Sequence, residues 1–195
     1  MALPHDSMAM TEAEYLAYER SSDIKHEYID GEVFAMTGAS RAHNLISVNL
    51  ITSMRTQLRG RPCQVYPSDM RVKAEGFRQY TYPDLSVVRG EAKFTDDEPE
   101  SLLNPTLIVE ILSPTTERYD RGKKFQIYRK LASLEEYMLI AQESPRIERY
   151  HLQDDGTWTF TDVEGLDATM ELPSVGCTLV LEEIYDLVVF QDDTE

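Results

Sequence analysis

Two carboxylates interrupt apolar stretches that have the composition of buried β-strands. Asp84 lies in TYPDLSVV, residues 81–88, and Glu110 lies in TLIVEIL, residues 106–112. Burying an ionised carboxylate is costly unless a group of opposite charge compensates it. One hard cation shared by both acids would do so, and Mg²⁺ takes one or two carboxylates together with waters and substrate phosphates. The pattern therefore predicts a divalent metal site formed by Asp84 and Glu110, provided that their strands are neighbours.

A basic residue that could join this site follows in the segment 116–131, whose apolar residues recur at helical spacing. Lys124 is four residues before Tyr128, so both lie on one face of a helix, whereas Lys123 looks more toward water. We predict that Lys124 reaches Glu110 and completes a hydrolytic site. There it would lower the affinity of the carboxylates for protons or orient the attacking water.

Each of these residues also has an alternative explanation that the sequence leaves open. Asp84 follows Pro83 and could accept hydrogen bonds from backbone N–H groups at a turn. Glu110 could form a structural ion pair with Lys124, and Lys124 could pair with Asp120, four residues earlier, on a solvated helix face. Finally, two carboxylates are also typical of enzymes that act on glycosides, where they serve as an acid and a base.

The elements that must position these residues follow from apolar spacing and turn residues. Helices are predicted over 11–22, which begins with a capping box, and over 40–60, and a hairpin is predicted at Asp30-Gly31. Strands are predicted at 62–66, 68–73, 80–89, 106–112, 136–141 and 146–152. The segment 154–160 is predicted to be a turn that leads into another strand, and the remainder, with Pro173 and Gly176, to form small β elements at the sheet edge. This order predicts an α/β (α+β) fold: a mixed sheet flanked by helices, with additional β-hairpins toward the C-terminus.

Composition is that of an ordinary globular protein, with 42% hydrophobic and 28% charged residues among 195. We expect one domain over 1–195, with its core at about 11–152 and a C-terminal β extension at about 153–190. Two cysteines are too few for a disulfide framework, and no apolar run is long enough to span a bilayer. We therefore expect a cytoplasmic protein with no membrane partner.

The net charge of −16, from 19 basic and 35 acidic residues, opposes binding to a polyanion unless positive charge is concentrated locally. Such a concentration exists in the segment 116–130, which has six basic residues and two acids. Within it, Arg121, Lys123 and Lys130 are predicted to contact nucleic acid.

The same residues resemble a known family. YPD at 82–84, VEILSP at 109–114 and YDRGKKFQIYRKLASLEEYMLI at 119–140 are similar to the putative restriction endonuclease family of the PD-(D/E)XK nuclease superfamily. The resemblance implies the restriction-endonuclease-like fold and a Mg²⁺-dependent endonuclease in which Mn²⁺ can substitute. It also implies Asp84 and Glu110 as metal ligands and nucleic acid as the substrate, with DNA favoured over RNA.

The chain departs from the superfamily pattern at one position. The pattern has a lysine two residues after the acid, where this chain has Leu112, and the matching lysine of the family is Lys124. Glu32 and His43 match recurring family positions and could supply an extra ligand or contact near the metal. The alternatives are a hydrogen-bonded core histidine for His43, which shares a helix face with Ile46 and Leu50, and a solvated strand residue for Glu32. Many nucleases of this superfamily form two-fold dimers, so a homodimer is expected, although no separate dimerisation element is recognisable. Because of the negative charge and the displaced lysine, a non-catalytic interaction module of the same fold is the alternative function.

Overall fold

The computed structural model describes residues 9–36, 38–74, 76–96, 100–114 and 116–190, so the outer limits of the expected domain, residues 1 and 195, lie outside the described residues. The helices are α1 (Glu12–Ser21), α2 (Arg41–Gln57), α3 (Glu117–Tyr119), a π-helical turn (Asp120–Lys124), α4 (Phe125–Tyr128) and α5 (Leu181–Ile184). The strands are β1 (His26–Ile29), β2 (Glu32–Ala35), β3 (Cys63–Pro67), β4 (Val72–Lys73), β5 (Gln79–Thr81), β6 (Leu85–Arg89), β7 (Leu107–Ile111), β8 (Glu136–Ile140), β9 (Arg146–Leu152), β10 (Trp158–Glu164), β11 (Thr169–Leu172) and β12 (Cys177–Val180).

Six strands form the central sheet in the order β10-β9-β8-β7-β6-β3. The pair β7 and β8 is parallel, and the other neighbouring strands are antiparallel, so the sheet is mixed as predicted. The register places Leu85 opposite Val109 across β6 and β7. The strand that follows Asp84 and the strand that contains Glu110 are therefore neighbours, which is the condition that the predicted metal site requires.

Helical segments cover both faces of this sheet. Leu50 of α2 packs with Val109 on one face, together with residues of β11, β12 and α5. Ile127 of α4 packs with Ile108 on the other face. Because side chains alternate along β7, Glu110 points to the same face as Ile108, beneath the helical segment 117–128.

Four further strands form a second, smaller sheet in the order β2-β1-β5-β4. Its first two strands form the predicted hairpin, in which Asp30 (φ 53°) and Gly31 (φ 103°) both adopt left-handed backbone conformations. This conformation is the one that a two-residue type I′ turn requires. The predicted capping box of α1 is also confirmed, between Thr11 and Glu14.

Four predicted elements differ from the structure. The strand predicted at 80–89 is divided into β5 and β6, because Pro83 has no N–H to continue a ladder and the chain changes sheets there. The strand predicted at 68–73 is reduced to β4 (Val72–Lys73). The helix predicted to end at Gly60 already ends at Gln57. The C-terminal β elements were predicted at the sheet edge and instead pack on one face with α2.

Glu136 is a buried acid at the start of β8, and it shares the face of Met138, opposite to that of Glu110. Both the N–H (3.2 Å) and the hydroxyl of Ser174 donate to Glu136 Oε2. Burial nevertheless raises the pKa of Glu136 to about 7. This carboxyl therefore takes up a proton in the folded protein at a pH where an exposed glutamate would remain ionised.

A pH dependence of stability follows from Glu136. Its folded pKa lies above its unfolded value, so its stabilising contribution is present at acidic pH and is lost as the pH rises through about 7. We expect this carboxyl to account for up to about 3 kcal/mol of the fall in unfolding free energy when the pH is raised from about 4.5, its ordinary pKa, to about 7. Urea unfolding at several pH values should show a flatter profile for Glu136→Gln. Glu143→Gln, at an exposed acid, should keep the wild-type profile, and an unchanged profile in Glu136→Gln would contradict the assignment.

Candidate active site

Lys124 lies at the centre of a buried group of acids. Its Nζ is 3.0 Å from Glu27 Oε1, 3.0 Å from Glu110 Oε1 and 3.5 Å from Asp120 Oδ1. An ammonium group has three N–H donors, which matches the three carboxylates around it. The residues come from β1, β7 and the π-helical turn, so two sheets and the covering helical segment meet at this point. Single π-helical turns of this kind frequently occur at functional sites.

Glu110 is buried and has two polar contacts at one oxygen. Only 4% of its surface is exposed, and its Oε1 also accepts a hydrogen bond of 3.1 Å from the Tyr128 hydroxyl. Burial raises the pKa of Glu110 well above its usual range; Lys124 opposes this shift, and the neighbouring acids Asp120, Asp84 and Glu27 add to it. For Lys124, burial lowers the pKa, but Glu110 and Glu27 outweigh burial and raise it well above the usual value. The lysine is therefore a fixed positive charge.

Asp84 lies beside this group, at the entry to β6. Its Oδ2 accepts a hydrogen bond of 2.7 Å from the N–H of Ile111, and its Oδ1 is 3.1 Å from His43 Nε2. His43 is in the first turn of α2, where its own N–H donates to the N-cap residue Ser40. The helix start thus brings His43 to Asp84, and the hydrogen bond to Ile111 ties Asp84 to the strand that carries Glu110. We call Glu27, Asp84, Glu110 and Asp120 the carboxylate cluster.

The structure brings together Asp84, Glu110, Lys124 and His43 of the predicted site residues, and it does not bring Glu32 to them. Glu32 is exposed on β2 and makes none of the cluster contacts within the described residues. The acid of this hairpin that reaches Lys124 is Glu27, on the preceding strand. Sequence reasoning missed Glu27, because in a strand of four residues there is too little alternation to reveal a buried acid.

Asp120 is a second cluster member that was not predicted as a site residue. The sequence suggested that it could pair with Lys124 on a solvated helix face, and the pair exists but is buried. The sequence spacing could have identified it. Asp120 and Lys124 are four residues apart and so lie on the same face of a helix, whether that face is buried or exposed.

The three residues predicted to contact nucleic acid differ in exposure and in the protein groups that they already contact. Arg121 is held by Glu117, at 2.8 Å, and by the buried Glu148. Lys123 is exposed and forms no ion pair within the described part of the chain. Lys130 is also exposed, and its Nζ lies 4.5 Å from the centre of the Phe77 ring. Lys123 and Lys130 are therefore free to contact a polyanion, whereas Arg121 already neutralises protein carboxylates.

The residues present fit a hard divalent cation. In the ranges that the structure describes, no three histidine, cysteine or acidic side chains are grouped so that they could hold a metal ion alone. Mg²⁺ does not need such a group, because one or two carboxylates, waters and phosphate oxygens complete its coordination. The donors here are carboxylate oxygens, and the buried hydroxyl of Tyr119 on the adjoining helix, which has no hydrogen-bond partner among the described residues, is an additional polar group.

Comparison with known proteins identifies the family. Residues 12–182 match the model of the family Uma2, described as "Putative restriction endonuclease". The chain belongs to the Uma2 family. The resemblance drawn from the YPD, VEILSP and YDRGKKF motifs is therefore confirmed, and the matched region includes the whole carboxylate cluster with Lys124 and His43.

Two relatives of the Uma2 chain come from Synechocystis sp. The uncharacterized protein slr1290 is 38% identical over 179 residues, which cover 91% of this chain and 92% of the relative. The uncharacterized protein sll1609 is 37% identical over 162 residues, which cover 83% of this chain and 92% of the relative. Both alignments extend over nearly the whole length of the relatives.

A crystal structure of a putative nuclease of the DUF820 group from Anabaena variabilis has a similar fold. The TM-score is 0.74, with 92% of this chain and 99% of that chain covered. The sequences are only 18% identical, so the likeness concerns the fold. It confirms the predicted nuclease-like arrangement of a mixed sheet between helices. Among the described residues, no helix combines the length and apolar composition needed to cross a bilayer.

Proposed function

We propose that this Uma2 protein is a Mg²⁺-dependent endonuclease that hydrolyses phosphodiester bonds of nucleic acid, with DNA as its substrate. The observation that carries the proposal is the excess of buried negative charge in the carboxylate cluster. Glu27, Glu110 and Asp120 surround one lysine, and Asp84 lies beside them against His43. These four carboxylates and one lysine leave three negative charges when all the acids are ionised and His43 is neutral. Buried like charges repel each other strongly unless a cation or protons offset them.

The cation that best offsets this charge is divalent and oxygen-liganded, with Asp84 and Glu110 as the protein ligands. When bound, Mg²⁺ supplies positive charge that stabilises the phosphate in the transition state. The chain's own residues prepare the site. The Ile111 N–H and His43 fix both oxygens of Asp84, while Lys124 and Tyr128 fix one oxygen of Glu110. Because these contacts exist before substrate arrives, little reorganisation is needed during the reaction.

We infer two roles for Lys124, in positioning the carboxylates and in catalysis. Its ammonium group contacts three carboxylates, so it holds Glu27 and Glu110 in place and favours the ionised form of Glu110. We propose that, with the metal and phosphate bound, the same charge adds to the stabilisation of the transition state. The family description as a restriction endonuclease supports DNA over RNA as the substrate.

Divalent metal binding provides the first test. We expect Asp84→Asn to weaken Mg²⁺ or Mn²⁺ binding at least about tenfold, because it removes one of two ligand charges. Isothermal titration calorimetry, or Mn²⁺ electron paramagnetic resonance, measures the affinity directly. Glu32→Gln is the matched control, since it removes an exposed acid of the hairpin and should leave the affinity unchanged. Equal affinities in wild type and Asp84→Asn would remove Asp84 from the site.

Nucleic-acid binding is expected to depend on the exposed lysines. Reversing Lys123 and Lys130 to glutamate should lower affinity alike for all sequences and reduce the salt dependence, because phosphate contacts release counterions. Fluorescence anisotropy with labelled duplex at several salt concentrations measures both effects, in a Glu110→Gln background so that the substrate stays intact. Arg121→Glu is expected to destabilise the fold instead, because it leaves the buried Glu148 facing a like charge. Unchanged affinity of the lysine variant would place the nucleic-acid surface elsewhere.

A second candidate function is a non-catalytic interaction module of the same fold. The observation that favours it is that both predicted ligands already have protein partners: His43 and a backbone N–H for Asp84, and Lys124 and Tyr128 for Glu110. The two functions are separated by the metal titration. A module whose cluster is only structural should bind Mg²⁺ no better than its surface acids do, and Asp84→Asn should then have no effect.

A further inference from the structure

Helix α1 carries a buried acid, Glu19, that lies outside the carboxylate cluster. Only 7% of its surface is exposed, whereas Glu14 of the same helix is exposed. Its Oε1 accepts hydrogen bonds from the His26 N–H at 3.0 Å and from the Tyr82 hydroxyl at 2.8 Å, and its Oε2 lies 2.9 Å from His26 Nδ1. Such contacts are what a buried carboxyl group requires. We call Glu19, His26 and Tyr82 the Glu19 brace.

Both partners of this buried acid are close in sequence to members of the carboxylate cluster. His26 directly precedes Glu27 on β1, and Tyr82 lies two residues before Asp84. Pro83 is the one residue between Tyr82 and Asp84, and its ring fixes the backbone angle φ. The short link therefore has little freedom, and a displacement of Tyr82 is passed on to Asp84.

Tyr82 also contacts the cluster directly through its backbone. Its N–H donates to Glu27 Oε1 at 3.3 Å, and the same oxygen lies 3.0 Å from Lys124 Nζ. Tyr82 thus joins two acids, Glu19 through its hydroxyl and Glu27 through its N–H. Burial, followed by the hydrogen bond to Glu19, raises the pKa of the Tyr82 hydroxyl, so this group remains a protonated donor.

The Glu19 brace lies where the two sheets have to be held together. Glu27 is on β1 of the smaller sheet, and Asp84 leads into β6 of the central sheet. Residues 82–84, between β5 and β6, belong to no strand, so no backbone ladder fixes them. Side-chain contacts from α1 take over that role, because the hydroxyl of Tyr82 is anchored there.

We propose that Glu19 is a positioning residue: through His26 and Tyr82 it sets the separation between the acids that the two sheets bring to the carboxylate cluster. Glu19 itself touches neither metal nor substrate. Its consequence for catalysis rests on the proposed endonuclease function, because metal ligands and a bound phosphate require fixed geometry, and a displacement of about 1 Å can lower a rate about 10²-fold.

Hydrogen exchange at Ile111 in the metal-free protein tests the positioning directly. The Ile111 N–H donates to Asp84 Oδ2 at 2.7 Å, so its protection reports the position of Asp84. Tyr82→Phe removes the hydroxyl and keeps the ring, and exchange at Ile111 should become about fivefold faster. The Leu112 N–H, which donates to the Ile140 carbonyl at 2.8 Å, is the internal reference and should keep its rate. Equal acceleration at both amides would indicate a general loss of stability and would contradict the proposal.

Tyr80→Phe is the matched control. The Tyr80 hydroxyl donates to Glu12 at 2.6 Å, so this variant also removes a hydrogen bond from a tyrosine to a glutamate of α1. Tyr80 lies on β5, two residues farther from Asp84, and exchange at Ile111 should therefore stay at the wild-type rate. The proposal is overturned if Tyr82→Phe leaves Ile111 exchange unchanged, or if Tyr80→Phe accelerates it as much.

The consequence for function is measured separately. At saturating Mg²⁺, single-turnover cleavage by Tyr82→Phe should be about tenfold slower than wild type. Glu19→Gln should stay near wild type, because its amide oxygen can accept from both the His26 N–H and the Tyr82 hydroxyl, while its NH₂ can donate to Nδ1 of a neutral His26 ring. A wild type that binds no metal contradicts the proposed function, and Ile111 exchange still decides whether Glu19 positions the cluster. If Tyr82→Phe exchanges faster but cleaves like wild type, Glu19 is only structural and the proposal is overturned.

Discussion

Replacing Glu110 with glutamine is expected to abolish Mg²⁺-dependent cleavage, by at least about 10³-fold, at every metal concentration. The substitution removes a ligand charge and keeps the shape of the side chain, so Lys124 and Tyr128 can still donate to the remaining oxygen. It also removes one negative charge from the carboxylate cluster, in which four acids are balanced by a single lysine. In metal-free buffer, Glu110→Gln is therefore expected to be at least as stable as wild type, although it is inactive.

The assay is nicking of supercoiled plasmid with Mg²⁺ or Mn²⁺, with single-stranded DNA and RNA tested in parallel. Thermal unfolding in the presence of a chelator measures the stability. Glu32→Gln should match wild type in both measurements, since that acid lies outside the cluster. A Glu110→Gln protein that cuts as well as wild type would show that the activity belongs to a contaminant or to another site.

The fold was predictable where a local pattern determined the structure. The continuous apolar run 106–112 could be assigned to a central strand because both of its faces are buried, and Asp30-Gly31 specified a hairpin through its turn conformation. The division of 80–89 between two sheets was not predictable, because Pro83 marks a break without saying where the chain goes next. The position of β11 and β12 on α2 depends on long-range packing that no short pattern contains.

The site was predictable to a similar extent. Helical spacing predicted that Lys124 lies on a buried face, and the apolar surroundings of Glu110 indicated that its carboxylate needs a cation. In the structure, Lys124 Nζ lies 3.0 Å from Glu110 Oε1. Glu27 could not be found in this way, because its role depends on the smaller sheet lying over the end of the central one. Arg121 looked like part of a nucleic-acid surface because its partner Glu148 is 27 residues away in sequence.

Lys124→Met is expected to lower turnover about 10²–10³-fold, as loss of one preorganised charged group commonly does. Methionine keeps the length of the stem, so the loss is mainly one of charge. The structure adds a second expectation. Three carboxylates lose their buried counter-charge, so unfolding free energy in metal-free buffer should fall by about 3–5 kcal/mol. Lys123→Ala, one residue away and exposed, should leave turnover and stability near wild type and act only on substrate affinity.

A charge-compensated variant separates the two roles of Lys124. Adding Glu27→Gln to Lys124→Met removes one negative charge and returns the net charge of the cluster to its wild-type value. We expect the double variant to regain most of the lost stability, because the remaining buried acids repel each other less. Its turnover should stay low, because no positive side chain faces the reacting phosphate. Single-turnover cleavage at a temperature where both proteins are folded measures this directly. If the double variant cleaves like wild type, Lys124 serves only to hold the carboxylates, and the stabilisation of the transition state must come from the metal and the remaining residues.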